Sequence, residues 1–119
     1  MNFICTRFSS NLDIVKAGNN NPSLKQGVRS EAVRIVQLAL IDLGFAMPIS
    51  TANKKTLPDG IFGNETVRIL VAFQRANGLV ADGIVGAKTL ARLDALLAVK
   101  SQITIQNDLL RGNKGRGRD

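Results

Sequence analysis

Few side chains in this sequence are equipped for catalysis. It contains no histidine, which removes imidazole acid–base chemistry, a Ser-His-Asp triad and histidine-ligated zinc. Cys5 is the single cysteine, so it has no partner for an internal disulfide and no companions for a cysteine-rich metal site. Glycoside hydrolysis needs two carboxylates facing each other across about 5–9.5 Å. The two glutamates, Glu31 and Glu65, both fall near predicted helix starts, where acids are expected because they complement the helix dipole. The expected chain is therefore not an enzyme and carries no cofactor or metal. The chemistry left to it is recognition.

The sharpest candidate for recognition is a duplication. Asp59-Gly60-Ile61-Phe62-Gly63-Asn64-Glu65-Thr66-Val67 recurs as Asp82-Gly83-Ile84-Val85-Gly86-Ala87-Lys88-Thr89-Leu90, 23 residues later. Leu70 and Leu93 close the two copies of D-G-I-x-G-x-x-T-[VL]-x-x-L. Each copy reads as a turn feeding a helix. Asp59 and Asp82 accept bonds from backbone N–H groups just ahead, as Asx-turns. Gly60 and Gly83 permit positive φ. Ile61 and Ile84, with Phe62 and Val85, are expected to point inward. Gly63 and Gly86 let the chain enter the helix without a Cβ clash, and Thr66 and Thr89 bond back to the turn.

Three amphipathic helices must carry these turns. Ser30 is a suitable N-cap for a helix running to Leu43, with Val33, Val36, Leu40 and Leu43 on one face and Gly44 as a left-handed stop. A second helix is expected over Asn64 to Ala76, ended by Gly78, and a third over Ala87 to Ala98, with Leu90, Leu93, Leu96 and Leu97 inward. The expected fold is all-α, a compact three-helix bundle. An N-terminal arm covers residues 1–23, closed by the turn cluster Asn19-Asn20-Asn21-Pro22-Ser23. The bundle covers 24–98, with a long connection over 45–58 tipped by Lys54-Lys55. A basic linker or tail covers 99–119. Residues 3–8 and 101–106 have some β character and are a candidate for a short terminal β-pair, although two strands alone are marginal.

At these residues the sequence resembles the three-helix peptidoglycan-binding domain found beside cell-wall hydrolases. The resemblance runs from about Leu24 to Leu97. It rests on Leu24-Lys25-Gln26-Gly27, Val36-Gln37, Asp59-Gly60-Ile61-Phe62-Gly63 with Thr66, Phe73-Gln74, Asn77-Gly78-Leu79, and Asp82-Gly83-Ile84-Val85-Gly86 with Thr89. The connection over 45–58 is longer than is usual for the family. The resemblance implies a non-catalytic module that binds bacterial peptidoglycan and anchors a linked or associated cell-wall hydrolase or effector. Its expected contacts lie at the two turns: Asp59, Gly60, Phe62, Gly63 and Asn64 at the first, and Asp82, Gly83, Val85 and Gly86 at the second. Gln37, Arg68 and Gln74 stand beside them. For Gln37 and Gln74 the other reading is bridging between helices; for Arg68, a solvated helix face. The sequence has no Trp and no Tyr, so stacking on sugar rings is disfavoured against polar contacts to stem peptides or N-acetyl groups.

The net charge of +7 and sequence pI near 10.4 favour an anionic partner. The competing reading is a small basic helical protein that binds nucleic acid, resting on that charge and on the Gly/Arg-rich end, residues 112–119. Interspersed acids and the absence of an aromatic–basic platform count against it. No apolar run approaches the roughly 18–20 residues that cross a bilayer. No apolar signal-peptide core is visible, so the expected location, at the bacterial wall, in the periplasm or outside the cell, comes with no stated export route.

Overall fold

The computed structural model describes residues 2–51 and 58–101. Within them the chain is helical: α1 (Thr6–Ser9), α2 (Leu12–Ala17), α3 (Glu31–Asp42), α4 (Asn64–Ala76) and α5, over residues 87–101. Among the described residues there is no strand, only two isolated bridges, Leu24 with Val85 and Arg29 with Ile61. In the N-terminal half of the anticipated β-pair no strand forms, and residues 6–8 are instead helix, because residues 6–9 close a helical turn on Cys5. Its other half beyond residue 101, the Lys54-Lys55 tip and the Gly/Arg-rich end lie outside the described residues.

The helix boundaries follow local chemistry. Ser30 accepts the Val33 N–H through its hydroxyl at 3.3 Å and opens α3. Gly44, at φ +95°, and Gly78, at φ +69°, end α3 and α4. Each stop is a Schellman closure. Phe45 N–H donates to the Leu40 carbonyl at 2.9 Å, and Leu79 N–H to the Gln74 carbonyl at 2.8 Å.

The apolar faces meet in one core. Val33, Val36 and Leu40 of α3, Leu70 and Phe73 of α4, and Leu90, Leu93 and Leu97 of α5 are all buried in it. Full burial of such a side chain is worth about 1.5–3 kcal/mol each. Phe8, Ile14 and Ala17 of the N-terminal arm belong to the same cluster, each 0 % exposed. Asp94 of α5 fastens the arm: its carboxylate accepts the Ile4 N–H at 2.7 Å and the Cys5 N–H at 2.8 Å. Burial, with the Asp94 bond and charge adding to it, pushes the Cys5 thiol up to about 11, which suits an inert thiol.

Candidate functional site

The two turns are the same structure built twice. In the first, the Gln37 amide nitrogen donates toward Asp59 Oδ1 (3.2 Å), the Ile61 carbonyl (3.0 Å) and Thr66 Oγ1 (3.0 Å). Its Oε1 accepts the Gly60 N–H at 2.9 Å. In the second, Gln74 donates toward Asp82 Oδ1 (3.0 Å), the Ile84 carbonyl (3.1 Å) and Thr89 Oγ1 (3.1 Å), and accepts the Gly83 N–H at 3.0 Å. Asp59 and Asp82 close their Asx-turns on the Ile61 and Ile84 N–H groups, both at 2.9 Å.

This arrangement decides several residue roles. Gln37 and Gln74 are 0 % exposed, so they bridge helix to turn, and direct ligand contact by their side chains is corrected to support. A buried amide left without partners would be costly, and these two are fully engaged. Phe62 and Val85 are core residues at 1 % and 0 % exposed and are likewise corrected. Gly60 and Gly83 are buried at φ +74° and +70°, packed on Ser30 and Arg34 in the first copy and on Val67 and Val71 in the second. Ile61 and Ile84 point outward, 39 % and 38 % exposed. The chain alternates sides through the turn, and the inward place is taken by Phe62 or Val85.

The last glycine differs between copies. A Cβ at Gly63 would meet nothing within 4 Å, whereas one at Gly86 would lie 2.5 Å from Asn20 Oδ1. That oxygen accepts the Ala87 N–H at 2.9 Å and so caps α5 from the arm. At the first copy Asn64 Oδ1 instead accepts from the Gln26 amide at 2.7 Å. Arg68 is exposed on α4.

One short segment fixes both turns relative to each other. Leu24 and Val85 exchange backbone bonds at 2.9 and 2.8 Å, Gly27 N–H donates to the Phe62 carbonyl, and Phe62 N–H to the Val28 carbonyl. Ser30 N–H then donates to the Gly60 carbonyl at 3.0 Å. Leu24 and Val28 are only four residues apart, so they are separated by at most about 14 Å of chain. The two corners are neighbours.

A hollow of ≈ 430 Å³ opens beside the second corner, lined by Asn20, Ser23, Leu79, Val80, Asp82, Ile84, Gly86, Ala87, Lys88 and Thr89. Of the residues expected from sequence, it takes in Asp82 and Gly86. Lys88 and Asn20 also line it and were not among the residues expected from sequence. The arm's fold alone brings Asn20 here, but Lys88 is legible as the residue standing where the first copy has Glu65. Glu65 itself is buried, its carboxylate accepting the Ile49 N–H at 2.8 Å and the Ser50 N–H at 2.7 Å. Burial pushes this carboxyl up, but those two donors, the Ser50 hydroxyl and the Arg68 charge together outweigh it and hold it below its ordinary value. Among the described residues no cluster of carboxylates and thiols is arranged to hold a metal.

The profile of a family described as "Putative peptidoglycan binding domain" matches residues 29–93, more than half of the chain. A probable N-acetylmuramoyl-L-alanine amidase of Bacillus licheniformis is 33 % identical over 100 residues, 75 % of this chain and 27 % of the relative. The N-acetylmuramoyl-L-alanine amidase CwlL of the same species is 37 % identical over 79 residues, 66 % of this chain and 20 % of the relative. The chain thus spans about a quarter of the length of these relatives or less. Among solved structures, a peptidoglycan-binding protein from Clostridioides difficile in complex with glutamine hydroxamate aligns with a TM-score of 0.53 at 31 % identity, covering 62 % of this chain and 41 % of that one.

Proposed function

The chain belongs to the peptidoglycan-binding domain family, and from that premise we propose that it is a non-catalytic module that docks on the bacterial wall beside its two Asp-Gly-Ile corners. The observation that carries this reading is the hollow at the second corner, framed by a turn that Gln74 and the Leu24 segment hold rigid. Binding residues placed on loops of a rigid scaffold lose little entropy when a ligand arrives. The module spans residues 24–98 with the arm folded onto it, and it works at the wall or outside the cell.

The two Bacillus licheniformis amidases share this segment within much longer chains, which supports a targeting role. A weak module that holds a linked or associated hydrolase on an insoluble polymer raises its effective concentration there. Catalysis by the chain itself has no support from its glutamates. Glu31 is engaged by Arg34, at 2.5 and 2.8 Å, and Glu65 by two backbone N–H groups. The contacts fall to accessible groups of the corners: exposed Asp82 and half-buried Gly86 at the hollow, and exposed Asp59, Asn64 and Arg68 at the first corner.

Co-sedimentation with purified, protein-free sacculi tests the proposal. The full chain is expected to pellet with them at low salt and to remain bound at moderate salt. Complete loss at moderate salt reduces the interaction to the +7 charge acting on an anionic polymer. Nanomolar binding to nucleic acid in a gel-shift titration, with no pelleting, replaces the reading with the nucleic-acid one.

A further inference from the structure

The second copy of the corner differs from the first in one way that points to a ligand. In the first copy, residues 47–51 form a turn lying over the start of α4. Met47 is buried in the core at 1 % exposed, and the consecutive N–H groups of Ile49 and Ser50 sit on the Glu65 carboxylate. The chain's own peptide backbone thus covers that helix start. In the second copy the residue at the same place is Lys88, exposed, and the space over it is the ≈ 430 Å³ hollow. The surrounding frames coincide: the same glutamine, aspartate, isoleucine carbonyl and threonine make the same bonds in both.

We propose that the hollow receives a short peptide carrying a carboxylate, seated over Lys88 as residues 47–51 are seated over Glu65, with the charges exchanged. In the first copy the protein supplies the carboxylate and the covering peptide supplies donors. In the second the protein supplies the Lys88 ammonium, while the Asp82 carboxylate on the same lining is engaged by Gln74 and the Ile84 N–H, so the group that meets Lys88 is a carboxylate of the covering peptide. Leu79, Val80 and Ile84, the last two 76 % and 38 % exposed, give the hollow an apolar wall for small aliphatic side chains, and Asn20 and Ser23 give polar groups for its backbone. No tryptophan or tyrosine exists in the chain to stack on a sugar. This inference rests on the wall-binding reading and narrows it: the module recognises the stem peptide, not the glycan strand.

The test compares intact sacculi with sacculi whose peptides have been removed by an amidase, together with a synthetic stem-type tetrapeptide and its C-terminally amidated twin. The full chain is expected to pellet with intact sacculi only. The free-acid tetrapeptide is expected to shift the amide resonances of Ile84, Ala87 and Lys88. Lys88→Glu is expected to weaken its binding at least tenfold, while Lys88→Arg stays within about threefold. The substitution leaves folding intact, since an acid in the first turn of a helix is favourable. Arg75→Glu makes the same charge change on an exposed residue that does not line the hollow, and is expected to bind as the parent does. Equal pelleting with stripped sacculi, equal weakening by Arg75→Glu, or no effect of Lys88→Glu overturns the peptide assignment and leaves wall binding standing. Failure to pellet with intact sacculi overturns both.

Discussion

Two glutamines carry the local architecture. Each side chain, itself at zero exposure, holds an aspartate, a carbonyl, a threonine and a glycine N–H in one knot. Gln37→Leu and Gln74→Leu remove the amide and strand buried partners, at a cost of about 2–4 kcal/mol each. Urea denaturation is expected to give similar losses for both, because the two knots are the same. The glycines are not equivalent. Both Gly63 and Gly86 open a helix, so alanine at either forfeits the same cap preference. Only at Gly86 does the new methyl collide with Asn20, whose side chain is tied to Ala87 and Ser23. Gly86→Ala is expected to cost about 1–3 kcal/mol more than Gly63→Ala, read from the same denaturation curves.

At the scale of elements, the described part of the connection after α3 is tied to α4 by a carboxylate. Glu65 sits in the first turn of α4 and binds the backbone of Ile49 and Ser50. Its folded carboxyl titrates below the ordinary 4.5, so its stabilisation is complete above the unfolded value and fades as pH falls through the folded one. The unfolding midpoint is expected to drop as pH falls below the ordinary glutamate range, with faster hydrogen exchange at Ile49 and Ser50. Glu65→Gln is expected to flatten that drop. Glu31 is shifted the same way by its Arg34 bond, but it lies in solvent where such pairs are screened, and comparison with Glu65→Gln isolates the buried group.

Taken whole, the molecule is a bundle that borrows its N-terminal arm. Phe8 and Ile14 are fully buried, Phe3 packs on Phe8 with ring centroids 5.5 Å apart, and Asp94 binds the arm's backbone. The arm also delivers Asn20 to the start of α5 and to the rim of the hollow. Deleting residues 1–17 is expected to cost about 3–6 kcal/mol, from the burial of Phe8 and Ile14 alone. A lowered melting midpoint and increased binding of an apolar dye would register this loss. Asp94→Ala, which leaves the apolar contacts in place, is expected to have a smaller effect in the same assay.

The positions of α3 and α4, the start of α5 and the paired corners were legible because their causes are local, whereas α1 and α2 of the arm were not anticipated. Ser30 and Gly44 sit at one helix's two ends, and Asp-Gly pairs bend the chain within a few residues of themselves. The repeat is longer than its spelling suggests. Gln37 lies 22 residues before Asp59, yet Gln74 lies only 8 before Asp82, so the inserted connection hides the kinship of the two glutamines from any fixed-interval reading. The sequence offered framework roles for Asp59, Asp82, Thr66 and Thr89 and left Gln37 and Gln74 open between bridging and contact; their burial decides for bridging. Burial is set by what folds over a side chain: Gln37 is covered by a corner 22 residues and more away, and Glu65 by Ile49 and Ser50 on the far side of the inserted connection. The arm's place in the core and the open ground over Lys88 were decided the same way, by long-range packing that no neighbouring residue encodes.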